Sequence, residues 1–261
     1  MNSQVVDTLT AKELMEEALK KISEDELSAI LGELELKSRC LQTLLTRESV
    51  DSLDEKSLRT IMHVVFCTRR KVDSILKQYP PPALRAPISE LLYGRAPLDE
   101  RFDAFCASFS SLDQRICCDF ASELLHFSHP NTYWLWAKWM WDPKTKTGSL
   151  PLVIMTDFDL ERPTPGRTYL RIGEAVVFVT SVGEAAGFQK IGSGLFGTDV
   201  YLALVYGIYI YTVLKIRMTQ EFNKVIPPLP ELVRRLLGVY GIENWQRTSG
   251  NTDHSGKRVW A

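Results

Sequence analysis

The chain has 261 residues, 45% of them hydrophobic, enough for one large core or two small ones. Its 31 basic and 32 acidic residues leave a net charge of −1, which excludes a broad electrostatic footprint for nucleic acid or anionic lipid. Five cysteines (Cys40, Cys67, Cys106, Cys117, Cys118) form an odd set without a CxxC, arguing for reduced cytoplasmic thiols over a disulfide framework, zinc ribbon or common iron–sulfur run.

Met1–Asp7 has neither a charged n-region nor an apolar h-region, so no secretory signal is expected. From Thr8 to about Leu45 the composition is helical. Thr10-Ala-Lys-Glu13 fits a capping box, and Leu14, Ala18, Ile22, Leu27, Ile30, Leu34, Leu41 and Leu45 carry the apolar pattern. Ser52-Leu-Asp-Glu55 announces a further helix through Leu58, Ile61, Met62, Val65, Val72 and Ile75 to about Gln78. Arg69, Arg70 and Lys71 in its second half read as a solvated face near a helix end.

Tyr79-Pro-Pro-Pro82 predicts an extended break, so residues 1–78 are expected as an N-terminal helical region and 79–97 as a proline-containing connector. A main helical domain then spans 98–243. Short helices are expected at Pro87–Tyr93, inside the connector, and at Leu98–Ser110, then a longer one at Leu112–Phe127 that buries Ile116, Phe120, Leu124 and Phe127.

Trp134, Trp136, Trp139 and Trp141 fall within eight residues. Pro130 and Asp142-Pro143 bracket a short predicted helix with Tyr133, Trp136, Trp139 and Met140 on one face and Trp134, Lys138 and Trp141 on the other. The first face suits the core. The second is a candidate recognition surface, with Lys138 between two indoles.

Beyond a polar loop to Gly148, Leu150–Met155 reads as a short strand or extended run, and Asp157–Arg167 as an irregular loop. Helices are expected over Thr168–Gly187, Thr198–Phe222 and Pro230–Val239, with a polar tail over 244–261. The uncharged run Val200–Leu214 is short of the roughly 20 residues that span a bilayer, which makes it a buried helix.

Several motifs are candidates for chemistry. Gly192-Ser-Gly-Leu-Phe-Gly197 matches G-x-G-x-x-G ahead of a helix, but without the upstream strand of a dinucleotide site it reads as a loop and cap. Asp119, Glu123 and His126 share a helix face, and Glu123-Leu-Leu-His126 has the Glu-x-x-His spacing of di-iron bundles. Glu123 and His126 with His129 and Cys118 are the candidate transition-metal or catalytic set; a hydrogen-bonded structural cluster is the alternative. Asp157, Asp159 and Glu161 offer hard oxygens for a divalent cation, or a solvated acidic loop.

The expectation is therefore an all-α, multi-helix globular protein with little or no sheet. The leading function is a non-enzymatic interaction or accessory subunit of a cytoplasmic assembly, with a protein partner or self-association, no transmembrane span and peripheral membrane contact left open. The alternatives are a metal-dependent or redox enzyme centred on Glu123, His126 and His129, and a helical nucleic-acid binder. Nucleic acid is the less expected partner given the charge balance.

Overall fold

Asp7 starts the first helix by accepting the Thr10 backbone N–H at 3.2 Å, so the cap of α1 (Thr8–Leu19) is Asp7 and not the expected Thr10–Glu13 box. The box lies later. Ser23 and Glu26 exchange both of its hydrogen bonds at the head of α2 (Glu24–Leu44), which divides the run expected from Thr8 to Leu45 into two helices. The computed structural model describes residues 5–185, 194–217 and 227–242.

The helix expected from Ser52 to Gln78 is also divided. After a 3-10 turn at Val50–Ser52, α3 (Glu55–Val64) is capped by Asp54 on the Ser57 N–H at 2.7 Å, and it stops where Val65 turns extended. Side chains from the following turn take over the carbonyls that α3 leaves unpaired. The Thr68 hydroxyl donates to Met62 and Val65, and Arg69 Nε donates to the His63 carbonyl at 2.9 Å. The periodicity resumes in α4 (Val72–Gln78).

The extended break is confined to Tyr79 and Pro80, and the rest of the connector as far as Tyr93 is helical. Pro80 caps α5 (Pro81–Tyr93), and Pro81 and Pro82 occupy its first turn, where a missing N–H leaves no bond unmade. Then come α6 (Leu98–Ser108) and α7 (Gln114–Ser128), the latter buried almost throughout from Cys117 onward.

The aromatic stretch is not a helix. Beyond His129 the chain runs extended through Tyr133–Ala137, makes a tight turn to Trp141, and closes a small loop by the Asp142–Thr147 bridge. Several of its polar groups find partners in other segments or across its own turn, while Trp141 Nε1 is buried without one. The Trp136 N–H donates to Ser122 Oγ at 2.5 Å, Trp136 Nε1 to the Trp141 carbonyl at 3.0 Å, and Trp134 Nε1 to the Tyr169 carbonyl at 2.8 Å. Helical hydrogen bonds would forfeit these, and the local pattern gives way to tertiary contacts.

A short α8 (Leu150–Val153) stands where a strand or extended run was expected, and Ile154 just after it bridges Val6 as an isolated antiparallel pair. Then follow α9 (Pro165–Ala185), α10 (Gly197–Arg217) and α11 (Leu229–Leu237). α9 lies on α6, where Phe102 stacks on Tyr169 at 4.6 Å and Trp134 stacks against the same tyrosine at 5.0 Å. α10 has little polar surface because α1, α2, α9 and α11 all pack on it. One cluster of buried apolar side chains extends from Val6 to Ile242, so helices from the first 78 residues share their core with the rest. Among the described residues the fold is all-α, with isolated bridges and no strand, and no helix is long and apolar enough to cross a membrane.

Candidate functional site

Several polar side chains from distant parts of the chain converge at the C-terminal end of α11. A helix ends with unpaired carbonyls and a partial negative charge. Here three consecutive carbonyls each receive a side-chain donor from a different part of the chain. Trp139 Nε1 donates to Leu236 at 2.8 Å, Lys37 Nζ to Leu237 at 3.2 Å, and Arg69 Nη2 to Gly238 at 2.8 Å. Gly238 makes the turn at φ +71°, and its N–H and those of Val239 and Tyr240 fold back onto the Arg234 and Arg235 carbonyls. A Cβ at this glycine would stand 2.6 Å from the Phe66 Cβ, so both the conformation and the close approach require glycine. Arg234 joins the same helix to α2 through both Glu33 carboxylate oxygens at 2.8 and 3.0 Å.

Lys37 lies on the buried stripe of α2 between Leu34 and Leu41, its ammonium 2.6 Å from Glu123 of α7 and 4.2 Å above the Phe127 ring. Glu123 also accepts the Phe66 N–H with both oxygens at 3.1 Å. That N–H is available because α3 has ended one residue earlier, so the helix break and the buried carboxylate satisfy each other.

Beside this clasp is a partly open cavity of about 70 Å³ whose walls include Cys67, Asp119, Glu123, Lys138 and Trp139. Burial pushes the Asp119 carboxyl up to about 7 against the pull of Arg115, which bonds it at 2.6 Å and lies 4.8 Å over the Trp136 ring. Burial, and then the charges of Glu123 and Asp119, push the Cys67 thiol well up, so it stays protonated. The volume admits a few waters. It falls far below the roughly 300–1,000 Å³ of a pocket for an organic ligand.

His126 belongs to a second buried pair on another side of α7. Its Nε2 is 2.8 Å from Asp199, in the first turn of α10, and its Nδ1 is 2.9 Å from the Tyr133 carbonyl. A carbonyl only accepts, so Nδ1 carries a hydrogen and the second ring nitrogen shares its proton with the carboxylate. Burial is the largest influence on this imidazole and pulls its pKa down. The Asp199 charge and hydrogen bond, with the Tyr133 carbonyl, together outweigh burial and raise it.

The residues expected to hold a metal therefore separate. Glu123 faces Lys37 and Phe66, and His126 faces Asp199. His129 sits half-buried with its ring edge-on to Tyr93 and Tyr133, its basicity lowered by burial. Each is turned by a different neighbouring element, which the i, i+3 spacing alone does not reveal. Cys118 lies 3.9 Å from Cys106. Asp159 caps the Glu161 N–H and pairs with Arg162, and Glu161 pairs with Lys146. Among the described residues no three His, Cys, Asp or Glu side chains are grouped to hold a metal ion.

The face expected to carry Trp134, Lys138 and Trp141 depended on helical spacing that this segment lacks. Trp134 is half-buried on Tyr169, Trp141 is buried, and Lys138 is exposed beside Asp142 at 3.6 Å. Of the glycine motif, Gly192 and Ser193 lie outside the described residues, as does the 244–261 tail. Gly194–Gly197 forms the turn that opens α10.

Sequence reasoning missed Lys37, Phe66, Arg69, Asp199 and Gly238. Two of them left a signal: Lys37 interrupts an apolar stripe, and Asp199 heads the most apolar run in the chain. Comparison with protein-family models, curated proteins and solved structures finds no match.

Proposed function

We propose that the chain is a non-enzymatic interaction or accessory subunit of a cytoplasmic protein assembly, and that it engages its partner on the outer side of the α11 clasp. One observation carries this reading. Phe66 and Tyr240 are 49% and 45% exposed, yet both sit on backbone fixed by the clasp, with Phe66 against Gly238 two residues before Tyr240. Exposed aromatics on rigid backbone bind at little entropic cost, and aromatic and arginine side chains dominate interface energetics.

Arg70 and Lys71 are exposed near Phe66 in sequence, and the Arg235 guanidinium covers the Tyr240 ring at 4.3 Å. That chemistry suits a protein segment carrying apolar anchors among acidic residues. The small cavity weighs against an enzyme acting on an organic substrate there, and the divergence of Glu123, His126 and His129 weighs against a metal centre built from them.

The test is affinity purification from the native host with wild-type chain and with a Phe66→Ser/Tyr240→Ser variant, followed by reconstitution of the purified pair. Support is a stoichiometric partner that binds wild type in calorimetry and at least tenfold more weakly the variant, at equal thermal stability. Equal binding by both chains, or stoichiometric iron or zinc in protein purified without chelator, overturns the reading.

A further inference from the structure

Cys106 of α6 and Cys118 of α7 place their sulfurs 3.9 Å apart across two packed helices. The other thiols point elsewhere. Cys117 is directed at the Phe109 carbonyl at 3.6 Å, Cys67 at the Ile116 carbonyl at 3.7 Å, and Cys40 is buried on α2. Cys106 also lines an open groove of about 420 Å³ between the end of α6 and the Pro163–Pro165 loop, with Asp103, Phe109, Gln114 and Thr164 among its walls. Cys106 is thus the partly exposed member of the pair, and the sulfur of buried Cys118 is held within about 2 Å of bonding distance.

We propose that Cys106 and Cys118 form an oxidation site that closes to an intramolecular disulfide when an oxidant of the peroxide class enters the groove. Cys106 sulfur attacks one peroxide oxygen; the O–O bond breaks, Cys106 becomes a sulfenic acid, and one water leaves with the thiol proton. Cys118 sulfur then attacks the Cys106 sulfur. The S–O bond breaks, the S–S bond forms, and a second water leaves with the Cys118 proton. Two thiols are oxidised by two electrons, and one peroxide is reduced to two waters. The hydrogen bond to Cys118 and burial keep the Cys106 thiol protonated, so the first step is slower than for a free cysteine. Proximity makes the second step fast. Because Cys118 directly precedes Asp119, closure draws on the segment of α7 that holds the Asp119–Arg115 pair.

The experiment treats the folded full-length chain with hydrogen peroxide, alkylates the remaining thiols, and reads intact mass and linked peptides. The expected product has lost two hydrogens, contains one Cys106–Cys118 peptide, and is reversed by dithiothreitol. Cys117→Ser should behave identically, and Cys118→Ala should leave a Cys106 sulfenic acid that dimedone traps. Linkage through any other cysteine, an intermolecular dimer as the sole product, or no disulfide overturns the proposal. So does oxidation of buried Cys40 at the same rate, which marks chemistry of the unfolded chain. Mapping the wild-type product decides the question even if the variants fold poorly.

Discussion

Lys37 and Glu123, 86 residues apart, form a 2.6 Å ion pair with side chains only 1% and 7% exposed. Burying two charges is favourable only when each finds further hydrogen-bond partners. Both do: the ammonium reaches the Leu237 carbonyl and the Phe127 ring, and the carboxylate takes the Phe66 N–H. The pair ties α2, α7, the α3–α4 turn and the end of α11 into one network.

Removing one partner leaves the other charge buried and unpaired. Lys37→Met and Glu123→Leu are each expected to lower unfolding free energy by about 3–5 kcal/mol. Lys37→Met with Glu123→Leu together should cost less than the sum, because no lone charge remains. It should not return to wild type, since the Leu237 carbonyl and Phe66 N–H lose their partners. Urea denaturation of the four proteins measures the cycle, and strict additivity would show that the network does not act as a unit.

The helical class was legible because long stretches such as Glu24–Leu44 keep a 3.6 period whose apolar positions, Leu27, Ile30, Leu34 and Leu41, are the buried ones. What failed was local pattern set against distant partners. Val65 continues the periodicity past the true end of α3 at Val64, and only Glu123, far along the chain, explains why the Phe66 N–H leaves the helix. The tryptophans space well for a helix, but the acceptors at Tyr169 and Leu236 that draw their indoles outward are invisible in a local window. Tyr79-Pro-Pro-Pro82 failed for a different reason: the same prolines that break a helix interior fit a first turn. Glu123 and His126 were singled out by their spacing, as metal ligands that the structure turns apart. Their partners Lys37 and Asp199 were not, because side-chain direction is set by packing.

Gly173, inside α9, gives a test in which propensity and packing predict opposite signs. In a helix interior alanine is favoured over glycine by up to about 1 kcal/mol. At this position a Cβ would overlap the Trp134 indole, which is held by reciprocal bonds: Trp134 Nε1 to the Tyr169 carbonyl and Tyr169 hydroxyl to the Trp134 carbonyl, both 2.8 Å. Gly173→Ala is therefore expected to destabilise by roughly 1–3 kcal/mol and to shift tryptophan fluorescence. In a Trp134→Leu background the same change should be neutral or stabilising. Stabilisation in the wild-type background would show that the indole does not fill the notch.

Asp119 and His126 both make stability fall as pH rises, in different windows. The Asp119 carboxyl, raised from an ordinary 3.8 to about 7 by burial, keeps its proton in the folded chain where the unfolded chain has lost it. Its contribution is thus present below 3.8 and lost as pH rises to about 7, because the folded state binds the extra proton in between. His126, raised above 6.5 as Asp199 and Tyr133 outweigh burial, contributes fully below 6.5 and loses that contribution as pH climbs through its raised folded value. Asp119→Asn should flatten the lower window by about 4 kcal/mol and leave the upper one. Its absolute stability is a poor guide, because Arg115 loses its carboxylate. His126→Gln should do the reverse. Urea midpoints across both windows give the slopes, and a wild-type slope retained in Asp119→Asn would show that this carboxyl ionises as freely in the folded chain as in the unfolded one.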